Sequence, residues 1–513
     1  MRGSARLCTL LRERYIGHNP RGRQPRPGST EISVHGQDRR CARVALKPSV
    51  YGHFGQNLRR RLSLPAMPRV APFAGLHYSI ARFGHAAVPD RVRLAEDADA
   101  APARLADLSD IACPPYDVIG DAERAELLAR SERNAVRLEF NAESDPHAAA
   151  ADALRAWVTD GTLERRPDPT AYSYRHATPS VPDELTVEGI VVRVLLEPWG
   201  DRVRPHEHTM PGPKADRLAL LQATKTQLSP ILAIYFDRSE SYHPVMGRAR
   251  ADEWRARDAD GLIHQLTAIG PDDRLVRYLG RQTLYIADGH HRYETALAYQ
   301  ARVRAEPRRA GAAPGDLAAD WIMMMLVNAE RTELEIRPTH RIVLDADADA
   351  LRALVAGDDA LFTSIPVAPE ALTSALDQRR VGDEPVFGLV LPGDDGYLMI
   401  GDPEGLADRL RREPISGEVR ALDLAALHVV VLGDRLGITE ADVAAGRLLA
   451  YTRDEADARE RVATGGAAAA LLVRPTRLDQ LAAVASAGDV MPQKSTYFYP
   501  KLLTGMVFNP LED

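Results

Sequence analysis

The stretch LYIADGHHRYETALAY, residues 284–299, gathers Asp288, Gly289, His290, His291 and Arg292 into one turn. The apolar run before them reads as a strand, and HRYETALAYQARVRAE after them reads as a helix. Free N–H groups at a helix start, at the positive end of its dipole, favour an anion. Two histidines and an arginine at the same point add positive charge, so the turn reads as a phosphate cradle. Gly289 suits that role because glycine accepts positive φ and lets a ligand approach the backbone. The plainer alternative is a capped helix, with Asp288 as N-cap and the histidines as satisfied polar side chains.

A second cluster lies upstream. RVRPHEHTMPGPKADR (202–217) crowds Arg204, His206, Glu207, His208, Lys214 and Arg217 into one segment. A carboxylate among cations suits a general base, or a group that positions Mg²⁺ and a nucleophile, and Glu207 is the candidate. His206 and His208 would face the same way on a strand, which permits a metal pair, although a zinc site needs a third ligand. A surface ion-pair network is the competing reading. In CPPYDVI (113–119), two prolines pre-set a loop that would present Tyr116 and Asp117 to a substrate; a rigid edge turn is the alternative. PTHR adds His340 and Arg341 as substrate contacts, and QKSTYFYPK adds Lys494, Ser495 and Thr496, which could close over an anion. KST lacks the glycines of a P-loop, so that motif is set aside. Tyr497, Phe498 and Tyr499 read as packing before stacking.

The elements that must hold these residues mix helix and strand. Helices are expected at 121–131, 145–161 and 212–227, and strands within 185–199, 229–236, 321–328, 385–391 and 468–475. The three methionines of WIMMMLVN read as core gap-fillers. The pattern gives an α/β to α+β mixed fold with two sub-domains. Three regions are expected: a basic leader over 1–66, a catalytic or phosphate-binding region over 67–340, and a mixed α/β region over 341–513 whose KSTYFYPK block returns to the site.

Composition narrows the partners. Of 65 Lys+Arg and 72 acids, 14 and 3 precede Met67, leaving 51 basic and 69 acidic residues and a formal charge of −18. DNA affinity comes mainly from Lys and Arg on phosphates, so nucleic acid is disfavoured as a partner of the body. The Arg-rich, acid-poor leader has no periodicity and reads as a transit-like or nucleic-acid tail, or as an early start ahead of Met67. Cys8, Cys41 and Cys113 are the cysteines. With one outside the leader, the body cannot hold an internal disulfide, which suits a cytoplasmic setting, and Cys113 reads as a small buried hydrophobe rather than a nucleophile. No apolar run approaches the roughly 18–20 residues of a membrane span.

Taken together, CPPYDVI, RPHEHT, GPKADRL, SPILAIY, ADGHHRYETAL, PTHR and KSTYFYPKLLTG resemble, in order, the domain-of-unknown-function family numbered ten-fifteen, over about Met67 to Phe508. DGHHRY, with the Pro205-His206-Glu207 segment, also resembles the free-serine kinases of the ParB/sulfiredoxin-like group, although a longer interval separates the two blocks here. That resemblance implies a ParB/sulfiredoxin-like nucleotide-binding core with insertions. It implies Glu207 as base, Asp288 beside it, and Gly289, His290, His291 and Arg292 as the phosphate site. Arg204, His206, Lys214, Lys494 and Ser495 are further phosphate candidates. The expected function is a small-molecule phosphotransferase, a kinase or phosphatase acting on free L-serine or O-phosphoserine. ATP or ADP with Mg²⁺ would be its cofactors, and Asp117 or Asp288 would help to hold the metal. A ParB-like nucleotide-dependent module without catalysis and a metal-dependent hydrolase built on His206, His208, His290 and His291 are the alternatives. Small molecule and nucleotide are the expected partners, and a homodimer is compatible with the sequence.

Overall fold

Ten short strands between residues 70 and 328 build one mixed sheet. They are β1 (Val70–Ala71), β2 (Arg104–Asp107), β3 (Ala171–His176), β4 (Val187–Leu195), β5 (Val203–Arg204), β6 (Ile231–Tyr235), β7 (Asp252–Arg257), β8 (Ile263–Ile269), β9 (Leu284–Asp288) and β10 (Trp321–Asn328). The computed structural model describes residues 69–84, 104–200, 202–207, 209, 211–239, 252–270, 272–309, 311–357, 360–379, 384–393 and 395–512. The readings of the leader, of Cys8 and Cys41, and of His208 therefore fall outside the described residues. The described residues belong to one compact unit, Pro65–Asp513.

The strand order is β2-β7-β8-β3-β4-β10-β6-β9-β5, with β1 on the outer end of β4. β10 is antiparallel to β4 and parallel to β6, which makes the sheet mixed. WIMMMLVN is β10, and every residue in it is buried, with Met323, Met324 and Met325 at 0% exposure. A strand covered on both faces carries a continuous apolar run, as this one does. Four helices matter for the site: α1 (Asp121–Arg130), α2 (Pro146–Thr159), α3 (Pro211–Thr224) and α4 (His290–Arg304). α2 starts at Pro146 behind an Asp145 cap that accepts from the Ala148 N–H at 3.1 Å. α3 packs against α2 and α4, and Leu221, Tyr299 and Val303 close the α3–α4 contact.

Beyond Asn328 comes a second sheet. After β11 (Glu335–Arg337), it holds β12 (His340–Val343), β13 (Phe362–Pro366), β14 (Val386–Leu391), β15 (Asp395–Gly401), β16 (Leu449–Thr452) and β17 (Ala469–Leu472). The order is β13-β15-β14-β17-β12-β16, antiparallel throughout. β11 itself pairs with β18 (Tyr497–Tyr499) in a separate ribbon. The final block then threads back through the first half of the chain. Met491 bridges Glu207, Thr504 bridges Cys113, Phe508 bridges Leu76, and Asn509–Pro510 pair with Thr226–Gln227. Cys113 is buried at 1% exposure and forms no disulfide, and burial raises its thiol well above the usual range.

Candidate functional site

β9 does not end flush against its neighbour. Its pairing with β6 slips between Ile286 and Asp288, a bulge that re-aims the last residue of the strand. Gly289 follows at φ 99°, ψ 29° and is the N-cap of α4. A Cβ at Gly289 would lie 3.0 Å from Nε and Nη2 of Arg292. The left-handed backbone favours glycine, and a side chain would also push on the guanidinium. Gly289→Ala should therefore destabilise the fold by about 1–3 kcal/mol, read as a drop in Tm, with the largest loss of hydrogen-exchange protection in the first turn of α4.

Asp288 is not the N-cap. One carboxylate oxygen bonds the Lys501 ammonium, and the other accepts from Arg292 Nη2 at 2.6 Å. Burial alone would raise this carboxyl, yet Lys501 and Arg292 hold it well below the usual carboxylate range. Both oxygens being taken by cations, Asp288 has poor capacity for Mg²⁺ in this arrangement. Arg292 also donates through Nη1 to Ser229 Oγ at 3.0 Å and to the Pro230 carbonyl at 2.6 Å, which ties the start of α4 to the entry of β6.

The histidines do not supply charge. His206 Nδ1 donates to the Ile286 carbonyl at 2.6 Å, so its Nε2 is the acceptor for Thr496 Oγ1 at 2.8 Å. His290 Nε2 accepts the His206 backbone N–H at 3.3 Å. Burial lowers His206 to about 4 and, with His206 beside it, holds His290 well below its ordinary range. Burial also lowers His291, helped by Lys494. All three rings are neutral at pH 7, and His206 and His290 act as braces between the sheet, α4 and the final block. This bears on the reading of His290 and His291 as charge for a phosphate, because burial favours the neutral form of both rings. No group of three or more His, Cys, Asp or Glu suited to a metal occurs among the described residues.

Glu207 sits opposite this turn. Its Oε1 accepts the Lys494 backbone N–H at 3.0 Å. Lys494 has φ 57°, a left-handed conformation uncommon for a residue with a side chain, and such strain concentrates at functional sites. Burial raises the Glu207 carboxyl above its usual value, while Lys494, Lys501 and Arg341 pull it back. For Lys501, burial favours the neutral amine, but Asp288 and Asp117 outweigh it and raise the value, so the side chain stays an ammonium. Lys501 also lies 4.4 Å from the Tyr497 ring centre.

These groups line one cavity of about 670 Å³, within the range of small-ligand pockets. Tyr116, Asp117, Glu207, Asp288, Gly289, His290, His291, Arg292 and Lys494 line it together. Tyr116 opens a turn of 3₁₀ helix, Tyr116–Val118, directly after Pro115, and its ring rests on the Arg217 guanidinium at 4.0 Å. Other candidates lie elsewhere. His206 and Ser495 are buried outside the lining. His340 turns Nδ1 to the Val473 N–H at 3.2 Å. Arg341 is fully buried. Arg204 lies over the Tyr285 ring, and Lys214 pairs with Glu294 at 2.6 Å. Sequence reasoning missed Lys501, which is the last letter of a block it had singled out. It also missed Tyr451, Thr452, Arg453, Asp454 and Arg461, which line the far wall from β16 and from the turn and helix that follow it. Those far-wall residues carry no motif that could have flagged them.

Residues 97–425 match the family described as Protein of unknown function (DUF1015), more than half of the chain. The chain belongs to this family. The matched span holds the CPPYDVI, RPHEHT, ADGHHRY and PTHR blocks and stops short of KSTYFYPK. No curated protein matches the chain. Among solved structures, a variant of a free serine kinase in complex with ADP is similar at 13% identity, covering 59% of this chain and 90% of that one, with a TM-score of 0.31. A conserved hypothetical protein from Pyrococcus furiosus is similar at 12% identity, over 59% and 89% of the two chains, with a TM-score of 0.30. SbnI with C-terminal truncation from Staphylococcus aureus is similar at 11% identity, over 60% and 84%, with a TM-score of 0.30. No described helix is long and apolar enough to cross a membrane.

Proposed function

We infer that the chain is a nucleotide-dependent phosphotransferase acting on the hydroxyl of a small molecule. The observation that carries this reading is the meeting of Glu207, Lys494 and the Asp288–Arg292 turn on one cavity. Phosphoryl transfer asks a protein for position and charge rather than covalent chemistry. Glu207 takes the proton of the acceptor hydroxyl. Lys494, Lys501 and the N-terminal amides of α4 face the charge that develops on the transferred group. The strand–turn–helix over 284–304 is then the phosphate-binding element of a ParB/sulfiredoxin-like core within residues 67–340. Residues 341–513 supply the opposite wall and return Lys494 and Lys501 to it.

Mg²⁺ fits this cavity at Asp117, which is exposed on its lining and accepts no hydrogen bond from any described residue. One or two carboxylates with phosphate oxygens and water suffice for that ion, which would neutralise phosphate charge there. Free L-serine is the acceptor to test first, because the DGHHRY and PHE blocks resemble those of the free-serine kinases.

The test is a product assay. Incubating residues 67–513 with Mg²⁺, L-serine and either ATP or ADP should yield O-phosphoserine by mass spectrometry, and the reverse reaction should release L-serine. Lys494→Ala should lower turnover by about 10²-fold, the scale for losing one stabiliser of transition-state charge. Folded protein that gives no product in either direction sinks the serine assignment. Nucleotide binding by calorimetry in that same sample would then favour a non-catalytic nucleotide switch.

A further inference from the structure

Arg341 lies on β12 and is completely buried, yet no described carboxylate pairs with it. A buried guanidinium with no carboxylate in direct contact is costly, so its partners carry information. Nη1 donates to the Thr339 carbonyl and Nη2 to the Gln493 carbonyl at 3.1 Å. Nε and Nη2 both donate to Nε2 of His428, at 3.4 and 3.3 Å. His428 lies on a π-helical stretch, Leu427–Arg435, a rare form found frequently at functional sites. Burial, and then Arg341, hold His428 well below its ordinary range, so its Nε2 is a free acceptor at neutral pH.

The Gln493 carbonyl and the Lys494 N–H are the two ends of one peptide unit. Arg341 holds the oxygen end, and Glu207 accepts from the N–H end at 3.0 Å. A peptide unit is planar, with its C=O and N–H pointing in opposite directions, so fixing one end fixes the other. A cation on the oxygen also polarises the N–H and makes it a stronger donor. The same peptide leads into the left-handed φ of Lys494, a conformation that persists only when its surroundings over-determine it.

We propose that Arg341, backed by His428, is the positioning residue for Glu207: it clamps the far end of the one peptide plane whose near end donates to that carboxylate. Arg341 is not among the residues that line the cavity. The clamp itself is independent of the phosphotransferase reading, and only its effect on rate rests on that reading. Lys494, Lys501 and Arg341 are the cations facing Glu207, and the adjacent His206 is neutral.

Two measurements test the clamp on the full chain. Hydrogen exchange followed by mass spectrometry reads the Lys494 amide directly. Arg341→Met and His428→Ala should each speed exchange across residues 492–496 at least tenfold, while Arg238→Met, which removes an exposed surface cation, should leave it unchanged. The acidic limb of the pH–rate profile should move to higher pH in Arg341→Met and return towards wild type in Arg341→Lys, which restores the charge. Unchanged exchange at 492–496 in folded Arg341→Met overturns the proposal. So does faster exchange spread evenly over both sheets, because that reports loosened packing rather than a lost clamp. If Arg341→Met does not fold, His428→Ala decides by the same exchange criterion. Because exchange needs no turnover, an inactive wild type would count against the phosphotransferase reading and leave the clamp to be judged by exchange alone.

Discussion

If the chain is the proposed phosphotransferase, Glu207→Gln should lower turnover of the hydroxyl acceptor by about 10²–10⁴-fold, the span associated with losing a positioned general base. The substitution is conservative in shape. The amide oxygen of glutamine can still accept the Lys494 N–H, so the strained turn keeps its partner. What is lost is the ability to take a proton. Nucleotide affinity, measured by calorimetry, should stay close to wild type, since the phosphate-facing groups are untouched. The pH profile gives a sharper reading. Burial raises the Glu207 carboxyl, so wild-type rate should fall as pH drops through a value above the ordinary carboxylate range, and the variant should lack that limb. The linkage sign gives a second check. A carboxyl whose folded value lies above its unfolded value contributes less stability as pH rises. Glu207→Gln should therefore leave Tm unchanged or higher at neutral pH. A lower Tm would mean that Glu207 is a structural ion-pair member rather than a poised base.

Lys501→Met should cost about 3–5 kcal/mol of stability at neutral pH, the range for removing one partner of a buried ion pair. The Lys501 and Asp288 side chains are 9% and 16% exposed, so solvent screens the pair little. Arg292 would remain on Asp288, but the second oxygen would face a methionine. The pH dependence follows from the depressed Asp288 carboxyl. Its contribution is complete above the unfolded carboxylate value and is lost as pH falls towards the folded value. Urea unfolding of the wild type should show that loss on acidification, and Lys501→Met should show a shallower one. In an Asp288→Asn background, Lys501→Met should cost less than it does in the wild type, because the carboxylate its ammonium bonds is already gone. An equal cost in both backgrounds would remove the ion pair as the cause.

Much of the local structure was legible in the chain. The helix starting after Gly120, the Pro146 helix stopped near Gly161, the all-apolar Trp321–Asn328 strand and the strand–turn–helix at Gly289 all follow from period and punctuation. The sequence does not announce β7 and β8. DEWRAR hides its strand pattern because Arg255, at 2% exposure, is buried against Glu253 rather than replaced by an apolar residue. The site was half legible. The acidic, basic and glycine letters of 204–217 and 284–292 stood out, but not which of the histidines would be buried and thereby neutral. Burial depends on tertiary packing, and that is what favours the neutral rings of His206 and His290. Nor could spacing show that Lys494 reaches Glu207 across 287 residues, or that Lys501 reaches Asp288 across 213.

The return of the last block to the first half of the chain sets an order of events during synthesis. Strands and helices of the large sheet leave the ribosome first and can pair as they emerge. Glu207, Asp288 and the neutral histidines are then already in place, but Glu207 has no N–H to accept and Asp288 has only Arg292. Residues 491–510 emerge well after these and supply the bridge to Glu207, the ammonium for Asp288 and the edge partners of Leu76 and Thr226. The cavity therefore closes late: a ribosome stalled before residue 494 would carry a nearly whole large sheet, but one wall of the pocket would be missing until residues 491–510 arrive.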